Sequence, residues 1–124
     1  MASEIVRTSF VLAVDDAEAT GRWWMKAMKF EQLVDHGGWV FVTRGPCRVM
    51  LGSCTDIIPV ADLGDHQYFG YIEVDDLDAY RSEIDDALVD LINEPRDKPW
   101  GMREMGVRTP DGHRVTIGQV IART

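Results

Sequence analysis

Apolar residues recur at every second position in several short stretches of this chain. In residues 7–14, Phe10, Leu12 and Val14 alternate with smaller or polar neighbours, which predicts a strand buried on one face. Gly and Pro residues bound further short apolar segments and favour tight reversals there. The pattern predicts strands at 7–14, 30–35, 39–44, 47–53, 68–74, 89–94, 102–108 and 113–119.

Two stretches have helical periodicity instead. The first helix is expected to begin after Asp15 or Asp16, either of which can cap it, and to continue through Lys29. Two tryptophans in it, Trp23 and Trp24, are interpreted as core or helix-cover residues. The second helix should follow Asp75 or Asp76 and present one apolar stripe, formed by Leu77, Tyr80, Ile84, Ala87 and Leu88.

Two short sequences occur twice in the same order. VDDAEA at 14–19 returns as VDDLDA at 74–79, and RVMLG at 48–52 returns as RVTIG at 114–118. The two offsets, 60 and 66, differ by only six residues. A duplicated unit with a short insertion in its second copy explains both matches.

The predicted elements therefore read β-α-β-β-β twice, which is an α+β class of fold. Module 1 is expected over about residues 5–55 and module 2 over about 68–122, with an irregular linker at about 56–67. A chain of 124 residues is long enough to bury a core without a disulfide or metal. We expect one domain over residues 1–124.

Composition narrows the classes of function. The net charge is −8, with 13 basic against 21 acidic residues, which argues against a nucleic-acid partner. No membrane-length apolar run or signal peptide is found, and Cys47 and Cys54 are too few for a disulfide framework. The expectation is a cytoplasmic protein with no membrane partner.

The second module closes with two characteristic segments, PWGMRE at 99–104 and TPDGHRVTIG at 109–118. Together with the duplicated β-α-β-β-β order, they resemble the vicinal oxygen chelate superfamily of glyoxalases, extradiol dioxygenases and bleomycin-resistance proteins. DKPWGMREMGVRTPDGH, residues 97–113, is similar to the bleomycin-resistance branch, with Met105 in place of its usual Phe and Thr109 in place of its Asp. The resemblance implies two modules that form a cup-shaped, open mixed sheet with the helices outside.

That fold divides each strand into a helix side and a cavity side. Leu12, Val49 and Val115 belong to the parity expected under the helices, and a register slip of one residue would reverse the assignment. The cavity side is expected to carry Ser9, Val11, Met50, Phe69, Tyr71, Glu73, Arg114 and Thr116.

In metal-dependent members of the superfamily, four cavity positions supply His, Glu or Gln ligands. The resemblance places these positions at Ser9, Met50, Phe69 and Thr116, none of which is an imidazole or carboxylate. Divalent iron, nickel, zinc or manganese needs several N or O donors at about 2 Å. We therefore expect no metal and no cofactor.

The remaining histidines and the two cysteines offer no obvious alternative site. His36 lies in a predicted hairpin turn, His66 in the linker and His113 in a turn, so each is interpreted as a solvent-exposed loop residue. Neither cysteine has a base that is evident from the sequence. Two carboxylates on the cavity side, Glu73 and Glu104, are the weak candidates for acid–base catalysis.

Glu73 has a competing interpretation as an ion-pair partner of Arg48 or Arg114, and Glu104 as a surface strand residue. Apart from these charges, the cavity side is aromatic, which suits a planar and cationic ligand. The residues expected to bind it are Trp39, Phe41, Met50, Phe69, Tyr71, Glu73, Trp100, Glu104, Arg114 and Thr116.

Bleomycin-resistance proteins are acidic, metal-free homodimers that sequester a cationic antibiotic at the dimer interface. The resemblance therefore implies a homodimer that binds a small aromatic molecule, such as an antibiotic, without turnover. An alternative stays open. The chain could be a glyoxalase-like lyase or isomerase that uses Glu73 or Glu104 as base, or a divalent metal held by other ligands.

Overall fold

Two modules with the same order of elements build the fold, as seen in a computed structural model that describes residues 3–63 and 67–122. The first module contains β1 (Phe10–Val14), α1 (Ala17–Ala27), β2 (Glu31–His36), β3 (Trp39–Arg44) and β4 (Cys47–Ser53). After a short 3₁₀ helix (Val60–Leu63), the second contains β5 (Tyr68–Glu73), α2 (Leu77–Glu83), β6 (Asp90–Asp97), β7 (Met102–Arg108) and β8 (Arg114–Val120).

Each module forms one four-stranded mixed sheet, and the two sheets have equivalent strand orders. The first sheet has the order β1-β4-β3-β2 and the second β5-β8-β7-β6. In each, the first strand pairs in parallel with the last, and the remaining pairs are antiparallel. Over residues 3–63 and 67–122 the eight strands do not close into a barrel. The predicted two-module α+β fold is confirmed.

Aspartates begin both helices, and in each case the second of the two candidates is the cap. The Asp16 carboxylate accepts from the backbone N–H groups of Glu18 and Ala19, and that of Asp76 accepts from Ala79. These bonds satisfy donors that the first helical turn leaves without partners. Both helices therefore start where the VDD repeat places them.

The second helix is shorter than its apolar stripe predicts. It ends at Glu83, and Ile84 already has an extended backbone. The carboxylate of Asp85 accepts from the backbone N–H of Ala87, a local turn that competes with further helix. Ala87 and Leu88, expected on the buried stripe, are exposed instead.

Both modules contribute to one hydrophobic core. Trp24 is fully buried and packs edge-on against Phe30, while Trp23 lies at the core margin, as the sequence predicts. The modules are joined by hydrogen bonds from the Tyr80 hydroxyl to the Met28 carbonyl (2.9 Å) and from the Trp23 indole to the Leu88 carbonyl (2.7 Å).

Strand parity follows the prediction on three of the four strands tested. Val49 and Leu51 on β4 and Leu12 and Val14 on β1 are buried, whereas their neighbours in the strand are not. On β8, Val115 and Ile117 are buried on either side of the half-buried Thr116. The sheets approach each other where the Phe10 ring lies on Gly70, leaving no room for a Cβ there, 2.8 Å from the ring. Each sheet therefore keeps one face against the core and one open face. None of the helices in the described parts of the chain has the length and apolar character needed to cross a membrane.

Candidate ligand-binding site

The open face of the second sheet carries a pocket of about 320 Å³. Four of the residues predicted to bind a ligand line it, namely Trp100, Glu104, Arg114 and Thr116. The remaining lining residues are Tyr68, Ile92, Asn93, Lys98, Gly106 and Val115.

Two side chains of this lining, Trp100 and Glu104, form a hydrogen-bonded group with Tyr71, which is not itself part of the lining. The Glu104 carboxylate accepts from the Tyr71 hydroxyl (2.8 Å) and from the Trp100 indole N–H (3.1 Å), both at Oε2. Burial, with a smaller effect from the hydrogen bond to Glu104, raises the pKa of Tyr71. Tyr71 is therefore protonated at neutral pH and acts as a donor.

Backbone geometry explains why Trp100 reaches Glu104. Residues 98–101 form a tight turn in which the Gly101 N–H donates to the Lys98 carbonyl, at a φ of 85° for Gly101. A positive φ of this kind is available to glycine without steric cost. The Trp-Gly pair of the sequence motif thus places an indole, 63% exposed, at the mouth of the pocket.

The glycine that ends each repeated sequence, Gly52 in RVMLG and Gly118 in RVTIG, provides space for an aromatic ring on the open face of its sheet. A Cβ on Gly118 would collide with the Tyr71 hydroxyl, and one on Gly52 would lie 2.9 Å from the Trp39 ring. The last letter of RVTIG and RVMLG therefore has a shared role. Each glycine lets an aromatic side chain lie flat across the strand.

Phe69 lies on the opposite side from the one predicted. A bulge between Tyr68 and Gly70 interrupts the pairing of β5 with β8, and it turns the Phe69 ring toward Phe10 and Trp24. Tyr68 takes the place on the open face that the sequence assigned to Phe69. The expectation that Phe69 faces the cavity is wrong, because a bulge shifts side-chain parity by one.

Two cation–π pairs complete the pocket. The Arg114 guanidinium lies 4.4 Å from the centre of the Tyr68 ring, and the Lys98 ammonium lies 5.8 Å from that of Trp100. Both aromatic rings are more than half exposed. The pocket wall therefore combines exposed aromatic faces with two positive charges and one carboxylate.

Glu73 lies outside the 320 Å³ pocket. Its side chain is exposed and borders a second pocket, of about 240 Å³, together with Ser9 and Arg48. The ion pairs of the described residues do not include the predicted pairing of Glu73 with Arg48 or Arg114. Glu73 and Glu104 thus line different pockets, and Tyr71, which donates to Glu104, also borders the pocket of Glu73.

The predicted residues of the first module lie on the open face of the first sheet, outside the 320 Å³ pocket. Met50 is flanked on neighbouring strands by Phe41 and by Val11, which is 60% exposed. The Trp39 ring packs edge-on against Phe41 at 6.2 Å. This face is an apolar surface that faces away from the core.

The four positions that carry metal ligands elsewhere in the superfamily do not fit a divalent metal. Ser9 and Thr116 offer hydroxyls and Met50 a thioether, while the Phe69 ring is turned into the core. Over residues 3–63 and 67–122, no three His, Cys, Asp or Glu side chains cluster in a way that could hold a metal ion. A metal-free site remains a prediction from the donor chemistry.

One histidine differs from the expectation of a solvent-exposed loop residue. His113 is half-buried, its ring packs edge-on against Phe69 at 6.1 Å, and burial lowers its pKa. Its Nδ1 is buried without a hydrogen-bond partner among the described residues. His36 is exposed as predicted, and His66 lies outside the described residues.

The two cysteines do not have the low pKa of a nucleophile. Burial raises the pKa of the Cys47 thiol, and a hydrogen bond to Asp56 raises that of Cys54. These shifts agree with the absence of an evident base in the sequence.

A larger groove, of about 460 Å³, lies between α2 and the β3–β4 turn. On its wall, Arg44 already forms an ion pair with Glu83 and lies over the Tyr80 ring. Glu73 is the only predicted site residue on its border. We therefore regard the smaller pocket on the second sheet as the candidate site.

Sequence reasoning missed three polar or aromatic members of that pocket. Tyr68 was hidden by the bulge, while Asn93 lies between two irregular steps in the β6–β7 pairing. Lys98 directly precedes the Pro-Trp-Gly turn, so its position beside that motif was the signal that could have identified it.

Comparison with known proteins agrees with this architecture. The sequence profile of the Glyoxalase/Bleomycin resistance protein/Dioxygenase superfamily matches residues 7–117. The chain belongs to this superfamily, since the match covers both modules. No curated protein matches the chain at a significant level.

Solved structures with the same fold include proteins that bind antibiotics. TioX from Micromonospora sp. ML1 is 22% identical with a TM-score of 0.75, over 92% of this chain and 98% of that one. TnmS3, an antibiotic binding protein from Streptomyces sp. CB03234, is 23% identical with a TM-score of 0.75, over 97% and 98%. The bleomycin-binding protein from Streptomyces verticillus, solved with copper(II)-bleomycin, is 21% identical with a TM-score of 0.72, over 98% and 100%.

Proposed function

We propose that this protein binds an aromatic small molecule, such as an antibiotic, and sequesters it without turnover. The observation that carries the proposal is the pocket on the second sheet, where Tyr68 and Trp100 offer exposed ring faces beside hydrogen-bonding side chains. Planar ligands stack on such faces, and a few polar groups then fix their orientation. Solved proteins of this fold that bind antibiotics give the proposal further support.

A second copy of the chain is proposed to complete the site. The pocket opens on one side, while no element within residues 3–63 and 67–122 covers the apolar face around Val11, Trp39 and Met50. Exposed apolar faces of this kind are typical of interaction surfaces. In a homodimer, the first sheet of one protomer would cover the pocket of its partner, which would bring Trp39, Phe41 and Met50 to the ligand.

The sequence predicts a cationic ligand because Glu73 and Glu104 lie on the cavity side. In the structure these two carboxylates differ in whether they are free to bind a cation. Glu104 already accepts two hydrogen bonds, whereas Glu73 is exposed and has no ion pair among the described residues. A cationic group on the ligand is therefore proposed to lie near Glu73, the last residue of β5. The net charge of −8 favours the approach of such a ligand.

Tryptophan fluorescence and calorimetry with a panel of cationic, neutral and anionic aromatic compounds, including glycopeptide antibiotics, would test the binding. We expect stoichiometric binding, loss of affinity in Trp100→Ala, and recovery of the compound unchanged. Ile58→Ala, which removes an exposed apolar side chain from the linker, is the matched control and should bind normally. No binding across the panel would refute the proposal.

Sedimentation equilibrium would test the second copy. Val11→Glu places a carboxylate in the apolar face of the first sheet and should convert a dimer into a monomer. Arg22→Glu adds the same carboxylate on the exposed side of α1 and should leave the dimer intact. A monomeric wild-type chain would contradict the shared site.

Acid–base catalysis receives less support from the same pocket. Tyr71 and Trp100 both donate to Oε2 of Glu104, so a ligand would have to displace one of these donors before that oxygen could take its proton. Glu73 is the remaining candidate for the lyase or isomerase alternative. Two results would favour that alternative. One is chemical conversion of a bound compound by the wild type that Glu73→Gln no longer carries out, and the other is stoichiometric metal in protein purified without chelators.

A further inference from the structure

The pocket on the second sheet contains an arginine, Arg114, to which no carboxylate of the described residues is paired. Six arginines of the described residues are half-buried, and four of them, Arg44, Arg81, Arg103 and Arg108, form ion pairs. Arg114 forms none with any described residue, although acidic side chains outnumber basic ones in the chain. Its Nε is buried and has no hydrogen-bond partner among the described residues.

The position of the Arg114 guanidinium leaves its donors available. It lies over the Tyr68 ring, 4.4 Å from the ring centre, so the aromatic contact uses the face of the guanidinium. Its N–H groups lie in the guanidinium plane, and they can take an acceptor from the side. A carboxylate matches this geometry, because its two oxygens can accept a pair of parallel N–H groups.

A second positive charge lines the same pocket. The Lys98 ammonium lies near the Trp100 ring and makes no side-chain hydrogen bond to any described residue. Glu104, the one carboxylate that the described residues contribute to the lining, already accepts from Tyr71 and Trp100. The pocket thus presents two cations that have no ion pair with any residue of 3–63 or 67–122, in a chain with a net charge of −8.

We propose that Arg114 and Lys98 form an anion subsite that holds the carboxylate of an aromatic acid, with the ring of the ligand against Trp100 and Tyr68. This inference rests on the proposed function and specifies one chemical group of its ligand. It adds an acidic group to a ligand for which the sequence predicted only a positive charge. The difference arises because the Glu104 carboxylate already accepts hydrogen bonds from Tyr71 and Trp100, which the sequence alone did not show.

The equivalent arginine of the first repeat does not belong to this subsite. Arg48 begins RVMLG as Arg114 begins RVTIG, and its Nε likewise has no partner among the described residues. Arg48 borders the 240 Å³ pocket beside Ser9 and the exposed Glu73, and it does not line the 320 Å³ pocket. The subsite is therefore specific to the second module within one chain.

Calorimetric titration of the full chain with 2-naphthoate and with the neutral 2-naphthamide would test the subsite. The two probes have the same ring system and differ in the charge of one group. We expect the acid to bind about tenfold more tightly, which corresponds to about 1.4 kcal/mol. The preference should disappear in Arg114→Gln and decrease in Lys98→Gln, and it should persist in Arg22→Gln, which removes the same charge from the outside of α1.

The outcomes separate the two proposals. Equal affinity of the wild type for the acid and the amide, or a preference that survives in both Arg114→Gln and Lys98→Gln, would overturn the anion subsite and leave the aromatic site in place. Failure of both naphthyl probes and of the whole aromatic panel would overturn both proposals. Lys98 lies in a loop, so Lys98→Gln keeps the test valid if Arg114→Gln does not fold.

Discussion

The hydroxyl of Tyr71 lies 2.8 Å from Oε2 of Glu104 and joins β5 to β7 across the strand between them. The intervening strand, β8, contributes Gly118 at the level of Glu104, and only a residue without a side chain leaves room for the tyrosine. A polar contact at the pocket thus depends on a glycine that belongs to the repeated sequence motif.

Replacing Gly118 with Ala should displace Tyr71 and break its bond to Glu104. Overfilling a close-packed position of this kind costs about 1–3 kcal/mol, and we expect a loss of unfolding free energy in that range in urea denaturation. Thr116→Ala, on the same strand and the same open face, should change stability by less. Unchanged stability of Gly118→Ala would show that Tyr71 does not require this glycine.

The proton of Tyr71 should be held more tightly than that of an ordinary tyrosine. Burial and the hydrogen bond to Glu104 both raise the pKa of Tyr71 above its usual value of about 10. Absorbance titration of phenolate should show that Glu104→Gln lowers this pKa, because the carboxylate acceptor is lost while the burial remains. Tyr71→Phe should remove the same component from the titration curve. Identical curves for the wild type and Glu104→Gln would contradict the hydrogen bond between Tyr71 and Glu104.

Adjacent aromatic residues, Tyr68 and Phe69, should have opposite mutational effects. Phe69 packs against Phe10 and Trp24, and removal of a fully buried Phe ring costs about 3–5 kcal/mol, so Phe69→Ala should lose a large part of that amount. Tyr68 is 59% exposed, so Tyr68→Ala should leave stability nearly unchanged and weaken the binding of aromatic ligands. Thermal unfolding and the binding assay check both halves, and the reverse pattern would restore the sequence-based parity.

Acidification should destabilise the fold through His113. Burial lowers the pKa of His113, with the Asp111 charge opposing, so the unfolded chain takes up the proton first. Stability from the neutral imidazole is present above the unfolded pKa of about 6.5 and is lost as the pH falls through the lower folded pKa. The decrease in Tm between pH 7.5 and 5.5 should be smaller in His113→Gln than in the wild type, and equal decreases would exclude His113 as the cause.

Local sequence determined the order and most boundaries of the elements. The predicted strands at 39–44, 47–53 and 102–108 coincide with β3, β4 and β7. Alternation of apolar residues and the Gly and Pro turns act over a few residues, so they can be read without knowledge of the fold. The repeat likewise predicted the equivalent order of elements in the two modules.

Tertiary structure decided which of the candidate site residues meet. Glu104 acquired Tyr71 and Trp100 as donors because β5, β8 and β7 lie side by side, while Glu73, two residues from Tyr71 in the chain, remained outside the pocket. The bulge in β5 exchanged Phe69 for Tyr68 on the open face. Periodicity specifies which face a side chain takes within its own strand. The pairing register and the partners across strands arise from packing between distant segments, which no local pattern encodes.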